Sequence, residues 1–217
     1  MAPPDQKDAN ALAPNSSATA LTLASWRSGL PVLTGSLVAI REVRPSDAQA
    51  LRDALITDDV TRFISPPPPT VGGFETFVER CIAQRVEGQY ACFAIVPRGS
   101  DSPIGLFHVR ALEPRFSAAE WGFAIAPEFW GTGVFIDAAR LVAGFIFSAV
   151  GTHRLEARVA VQNARANGAL RKLGATPEAV LRHSFFCNGQ SVDQTLWTIV
   201  ADDWPPERTA SSTETVH

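Results

Sequence analysis

Between Ala118 and Gly174 the sequence switches from strand to helix twice, and that stretch limits the fold more than any other. Ala118 to Ala126 reads as a strand and runs into Glu128-Phe129-Trp130-Gly131-Thr132-Gly133-Val134. Beyond the glycines, Val134, Ala138, Leu141, Val142, Phe145 and Ala149 recur at helical spacing. Leu155, Ala157, Val159 and Val161 then alternate with Glu156, Arg158 and Ala160, the period of a half-buried strand. A further helix, about Arg165 to Leu173, ends on Arg171, Lys172 and Gly174, cations and a glycine suited to a carboxyl terminus. The centre of the fold is therefore one strand–helix–strand unit with a helix behind it.

The flanking segments add hairpins and two helices. Leu37 to Val43 reads as a strand, and Pro45-Ser46-Asp47 opens a helix that reaches about Ile56. Phe63 to Val71 contains Pro66 to Pro69, which confines it to loop or polyproline II. From Gly73, the spacing of Phe74, Phe77, Val78, Cys81 and Ile82 predicts a helix that stops near Gly88. Tyr90 to Val96 and Ile104 to Val109 give two more strands before Ala118. Val180 to Cys187 and Ser191 to Val200 flank Asn188-Gly189, a hairpin signal. The order β-α-α-β-β-β-α-β-α-β-β predicts an α+β fold with a mixed, mostly antiparallel sheet. The Ala-, Pro- and Ser-rich residues 1–35 read as a flexible N-terminal tail, residues 36–204 as the folded domain, and residues 205–217 as a polar C-terminal tail.

Composition narrows the function classes. At 217 residues, 46% of them apolar, the chain can bury roughly 70% of its unfolded surface in one core. A formal charge of -3 argues against nucleic-acid binding. No apolar run approaches the roughly 18–20 residues of a membrane helix. Cys81, Cys92 and Cys187 form no CxxC and no metal-like pairing with the histidines, so neither disulfide framework nor metal site is expected. These features suit a soluble protein of a reducing compartment, the cytoplasm.

The glycine loop carries the chemistry. Two glycines one residue apart let backbone approach a ligand, and the free N–H groups of the helix behind them favour an anion. A tight strand-to-helix turn has the same sequence, so the loop alone leaves both readings open. The third glycine and the acidic residue of a dinucleotide fingerprint are missing, as is the GK[ST] of a triphosphate loop. Charge is nevertheless concentrated here. From Gly131 to Ala175, Arg140, Arg154, Arg158, Arg165, Arg171 and Lys172 stand against Asp137 and Glu156, a local +4.

The run from Ala119 to Ala175 resembles the core of the GNAT superfamily of acyl-CoA N-acyltransferases, most closely the branch with the ribosomal-protein-alanine N-acetyltransferases. The resemblance spans about Ser36 to Trp204. It rests on a Glu on the strand before the loop, WGTG opening a helix, and Asn163 eleven residues before the Gly of LRKLG. It implies a splayed sheet flanked by helices and acetyl-CoA as co-substrate. The amides of Gly131, Thr132, Gly133 and Val134 would hold the pyrophosphate, and the strand Phe123, Ala124, Ile125 and Ala126 would pair with the pantetheine arm. Asn163 would bond near its thiol end, and Arg171 or Lys172 would lie near the adenosine phosphates. Attack by an amine on a thioester needs a neutral nitrogen, so a carboxylate must take a proton, directly or through water. The resemblance puts Glu120 in that role, and an arginine-paired edge charge is the competing reading. Glu128 replaces the usual Gln or Arg, and Ala166 stands where a Ser acid is common. Tyr90, the single tyrosine, sits in an early strand. His183, Ser184 and Cys187 remain as acids by location only. Trp121 and Trp130 read as packing, His108 and His153 as structural, and Asp193 as either a family position or a turn-fixing residue. The implied function is acetyl transfer to a primary amine by direct attack, on a protein N-terminus or a small amine, in a monomer or homodimer. The competing class is a non-catalytic acyl-CoA-binding module.

Overall fold

The computed structural model describes residues 26–187 and 189–204. Residues 1–25 and 205–217, most of the two expected tails, lie outside that range, as does Asn188 of the hairpin signal. Trp26 to Gly35, assigned by the sequence to the tail, belong to the fold. Trp26 is buried edge-on against Phe116, with ring centroids 5.4 Å apart. The Arg27 carbonyl accepts from the Arg85 guanidinium, which also pairs with Glu42. β1 (Leu33–Thr34) then pairs with β2 (Val38–Glu42).

The chain continues through α1 (Ala48–Leu55), α2 (Asp58–Thr61), α3 (Val71–Val86), β3 (Tyr90–Pro97), β4 (Gly105–Ala111) and β5 (Ala118–Ile125). It ends with α4 (Val134–Phe145), β6 (Arg154–Ala160), α5 (Ala164–Leu173), β7 (Thr176–Cys187) and β8 (Gln190–Val200). β1 and α2 are additions to the predicted order. Both are too short to show a period, although Thr57 caps α2 by accepting the Val60 N–H. The long helix expected to reach Ala149 gives way after Phe145 to a π turn, Ile146–Val150, closed by Gly151 at φ +84°.

One eight-stranded sheet runs β1-β2-β3-β4-β5-β6-β8-β7. Every neighbour pair is antiparallel except β5–β6, which α4 joins by a crossover and which is therefore parallel. Helices α4 and α5 cover one face, where Ala138, Val142 and Leu170 bury Phe93, Phe107, Trp121, Leu155 and Trp197. Helices α1 and α3 cover the other at the β2–β4 end, setting Leu51, Leu55, Phe74 and Val78 on Cys92, Ala94 and Leu106. Each large apolar side chain so buried contributes about 1.5–3 kcal/mol relative to exposure. A buried Arg41–Asp47 pair, doubly bonded at 2.8 Å, fixes the turn into α1, with Asp47 also accepting the Arg44 N–H.

Candidate functional site

The parallel pair β5–β6 holds for three residues only. Ala118, Ala119 and Glu120 face Arg154, Leu155 and Glu156, and then the strands part. Two backbone bonds show which groups are left facing the gap. Ala126 donates its N–H to the Ile104 carbonyl at 2.8 Å. Antiparallel alternation from that bond turns the backbone groups of Phe123 and Ile125 away from β4 and toward β6. Val161 donates to the Asp193 carbonyl at 2.9 Å, which by the same rule turns Arg158 and Ala160 toward β5. Some of these groups have found other partners. Trp130 Nε1 donates to the Ile125 carbonyl at 2.8 Å. The Ala160 carbonyl accepts from the Asn163 N–H and from Asn167 Nδ2, each at 2.9 Å.

At the far end of β5 the chain makes a 3-10 turn, Pro127–Phe129, and enters the glycine loop. Gly131 has φ +79° and Gly133 φ +92°, the left-handed region that side chains adopt only under strain. A Cβ on Gly131 would meet no atom within 4 Å, and Gly133 begins α4 with no side-chain cap. The first helical N–H groups thus face outward with the positive end of the helix dipole behind them. Asp137 does not close this end. Its carboxylate reaches away, to the N–H groups of Ser36, Leu37 and Val38 at 2.7–3.1 Å and to Ser36 Oγ at 3.0 Å. Burial works to raise its pKa, but these four bonds outweigh burial and hold it below the usual carboxylate value.

A cavity of about 740 Å³ opens where the strands have parted, between the end of β5 and the residues that follow β6. Of the residues singled out for a cofactor, Phe123, Ala124, Ile125, Gly131, Gly133, Asn163 and Lys172 line it. Ala126, Thr132 and Val134 adjoin it without lining it. The Thr132 hydroxyl is turned to the Phe129 carbonyl at 2.7 Å, and the Val134 side chain is core. Asn163 Oδ1 caps α5 by accepting the Ala166 N–H at 3.1 Å, which aims Nδ2 elsewhere. Asp59 and Val60 of α2, with Arg62, Phe63 and Ile64 after it, also line the cavity. No residue of the last hairpin lines the cavity, but Cys187 Sγ sits 3.6 Å from the Arg62 and Ile64 carbonyls and backs that wall.

Glu120 stands at the root of the gap, on its last paired residue and outside the cavity lining. Its Oε2 is bound by Arg110 Nη2 at 2.8 Å and approached by Arg158 Nε at 3.5 Å. Oε1 has no partner among the described residues. His108 lies on Gly122, two pairs along, and stacks on Tyr90 at 5.6 Å. Burial, with Arg110 adding to it, pushes this histidine down to about 4. Ser184 Oγ is bonded to the Leu181 carbonyl and Gln194, and His183 sits at φ +50° in a bulge fixed by Asp193 Oδ1 accepting its N–H. Arg171 lies over Trp197, 5.5 Å from its centroid.

Two wall residues, Trp130 and Arg165, and Asn167 behind them escaped the sequence reading. Trp130, read as packing, lines the cavity, and the Arg165 guanidinium carbon lies 3.7 Å from its ring centroid. Asn167 ties the turn before α5 together, giving Nδ2 to the Ala160 and Asn163 carbonyls and taking Trp197 Nε1 at 2.7 Å. The clustering of arginines around residues 154–172 was the one available signal for Arg165.

Residues 38–176 match the family model described as an acetyltransferase (GNAT) domain. The uncharacterized N-acetyltransferase YoaA of Bacillus subtilis is 28% identical over 171 residues, covering 78% of this chain and 97% of its own. A 72-residue part is 38% identical to spermidine N(1)-acetyltransferase of Escherichia coli, covering 33% of this chain and 39% of that enzyme. Among solved structures, Mycobacterium smegmatis RimJ in complex with CoA-disulfide superposes with a TM-score of 0.74 at 22% identity, over 80% of this chain and 88% of the other. That last likeness is one of fold. Among the described residues no helix is long and apolar enough to cross a membrane.

Proposed function

The chain belongs to the GNAT family of acetyltransferases, and from that premise we propose that it transfers the acetyl group of acetyl-CoA to a primary amine, on a protein N-terminus or a small molecule. The observation that carries the reading is the open gap between β5 and β6, with backbone groups unpaired along it and a glycine loop at its end. The loop fits a pyrophosphate. Left-handed glycines bring its amides to the surface, no side chain fills the space over Gly131, and Lys172 adds a cation. The amide-bearing arm fits the Phe123 and Ile125 edge, where Asn163 Nδ2 can donate as well. Acetyl-CoA supplies a thioester carbonyl open to a nitrogen nucleophile.

The protein's own part is to orient and to move a proton. The N–H of Phe123 or Ile125 stabilises the oxyanion that forms when the amine adds, and collapse of that adduct expels coenzyme A as its thiolate, released as the free thiol. Glu120 takes the amine proton through a water, because it stands outside the cavity wall. Arg110 and Arg158 hold Oε2, and Oε1 is left to accept. The acceptor enters past the Asp59–Ile64 segment, which lines the same cavity.

Acetyl-CoA should raise the melting temperature where ATP and NAD do not, since a ligand at a hundredfold excess over Kd stabilises by about 2.7 kcal/mol. Gly133→Val should abolish that shift, and an unchanged shift in this variant would sink the pyrophosphate assignment. Free-thiol release with a panel of amines reads the transfer. The paired Glu120 and the Ala166 position favour a binding module as the second reading, for which acetyl-CoA would bind with no thiol released by any amine.

A further inference from the structure

Two arginines bracket Glu120 at the point where β5 and β6 part. Arg110 Nη2 bonds its Oε2 at 2.8 Å, and Arg158 Nε lies 3.5 Å from the same oxygen. Glu156 is the last residue of β6 paired with β5, and Arg158 follows two places later, on the same face as Glu156 and Glu120. Helices α1 and α3 cover that face at the β2–β4 end, and Arg158 is exposed. Among the described residues Glu120 is the one partner of Arg158 and no hydrogen bond holds its Nη groups. The outer edge of its fork is therefore free to donate.

The charge along this face selects what can lie against it. At the parting, Arg110 and Arg158 share a single carboxylate, which leaves one positive charge over. His108, beside Gly122 on the same face, is held neutral by burial and adds nothing. Toward the start of β6 the balance reverses, because Arg154 is shared by Glu156 and Glu178. A nitrogen brought to the open Oε1 of Glu120 thus has a surplus cation close by. A carboxylate carried next to that nitrogen matches the surplus, and a second ammonium in the same place is repelled by it.

We infer that Arg158 is a specificity-determining residue that binds a carboxylate of the acceptor, and that the acceptor is a free α-amino acid rather than a protein N-terminus. This rests on the acetyl-transfer reading above and narrows its acceptor. The carboxylate takes the Nη donors of Arg158 in a two-pronged bond, and the α-nitrogen, carried on the same carbon, lies within one water of Glu120. The α-ammonium gives a proton through that water to Glu120, which passes it to solvent. The neutral nitrogen then forms its bond to the acetyl carbon, the carbon–sulfur bond breaks, and the second nitrogen proton goes to the departing thiolate. The products are an N-acetyl amino acid and the free thiol. A protein N-terminus offers an uncharged peptide carbonyl where the amino acid offers its carboxylate, so it leaves the arginine unmatched.

The test is thiol release by the full chain with L-amino acids, each compared with its own amide and with its dipeptide to alanine, for the wild type, Arg158→Gln and Arg158→Lys. The readout is the ratio of kcat/KM for acid over amide. Amine basicity is the same whichever enzyme is used, so it cancels when the ratios are compared between enzymes. Losing a charge-assisted pair should lower the ratio by about 10–100-fold in Arg158→Gln. Arg158→Lys should keep part of it, since an ammonium has the charge without the fork. A merely structural effect through Glu120 would slow acid and amide alike and leave the ratio unmoved. A melting temperature raised by acetyl-CoA shows that each variant is folded. A wild type that uses amides or dipeptides and no free amino acid overturns this inference and leaves the transfer reading standing. An acid-over-amide ratio unchanged in Arg158→Gln does the same. A wild type that binds acetyl-CoA and releases no thiol with any of these amines overturns both.

Discussion

Asp137→Asn tests whether a carboxylate on the cofactor-side helix holds the start of the sheet. Both oxygens of Asp137 are used. Oδ1 takes the Ser36 N–H and hydroxyl, and Oδ2 takes the N–H groups of Leu37 and Val38. An amide has one acceptor oxygen, so whichever way it turns its NH₂ faces backbone donors. Two bonds are lost and the other two become neutral. Each charged bond contributes about 1.5–3 kcal/mol, but the site is partly exposed and water replaces much of the loss, so the net cost is about 1–3 kcal/mol. For a domain of this size that is a melting temperature lower by about 3–10 °C. The pH dependence gives a second check. Because the folded pKa is lowered, the stabilisation is complete above the ordinary carboxylate value and is lost as pH falls through the folded one. The gap between wild type and variant should therefore stay constant from neutral pH down to about 4 and close below it. Thermal melts in matched buffers measure this. A gap under about 0.5 kcal/mol, the scatter of ordinary surface substitutions, or one that persists at acid pH, would refute the reasoning.

Glu120→Gln keeps the shape of the side chain and removes its basicity, so thiol release should fall by roughly 10²–10⁴-fold with acetyl-CoA affinity near wild type, and raising the pH should restore part of the rate. A lower melting temperature with turnover intact would instead make Glu120 a structural partner of Arg110 and Arg158. His108 is held neutral at about 4, below its unfolded value, so the wild type should lose stability as pH falls from about 6.5 toward 4, by on the order of 2 kcal/mol. His108→Gln should flatten that limb in the same melts, and an unchanged limb would show that the histidine is not its source.

Much of this architecture could be read before any coordinates, because its strands alternate and its helices are amphipathic. The strand–loop–helix–strand unit from Ala118 to Ala160 stands where periodicity put it. β7 begins four residues earlier than expected because Thr176 to Ala179 lie at the sheet edge and are exposed on both faces, so no alternation marks them. The Asp137 bonds to Ser36, Leu37 and Val38 join positions about a hundred residues apart, and neither end looks unusual locally. Trp130 is the instructive case. An aromatic beside a glycine loop reads as packing, and it does pack, but its flank is a cavity wall that only the parting of two strands creates.

That parting has its own physical cause. Strands left side by side with unpaired N–H and C=O groups would close on each other, since an unpaired buried backbone group is costly. Here the groups nearest the loop ends are already taken by local donors. Trp130 occupies the Ile125 carbonyl from within the glycine loop, and Asn163 and Asn167 occupy the Ala160 carbonyl from the start of α5. Val161 is drawn the other way, to Asp193 on β8. Each strand end is thus satisfied by the turn that follows it, and closing the gap would mean breaking those bonds to make the ladder. What remains open is the middle, Phe123 and Arg158 with the Ile125 and Ala160 N–H groups. A ligand carrying amides of its own can complete the ladder there, which is why a long, amide-bearing acyl carrier suits this gap better than a compact nucleotide.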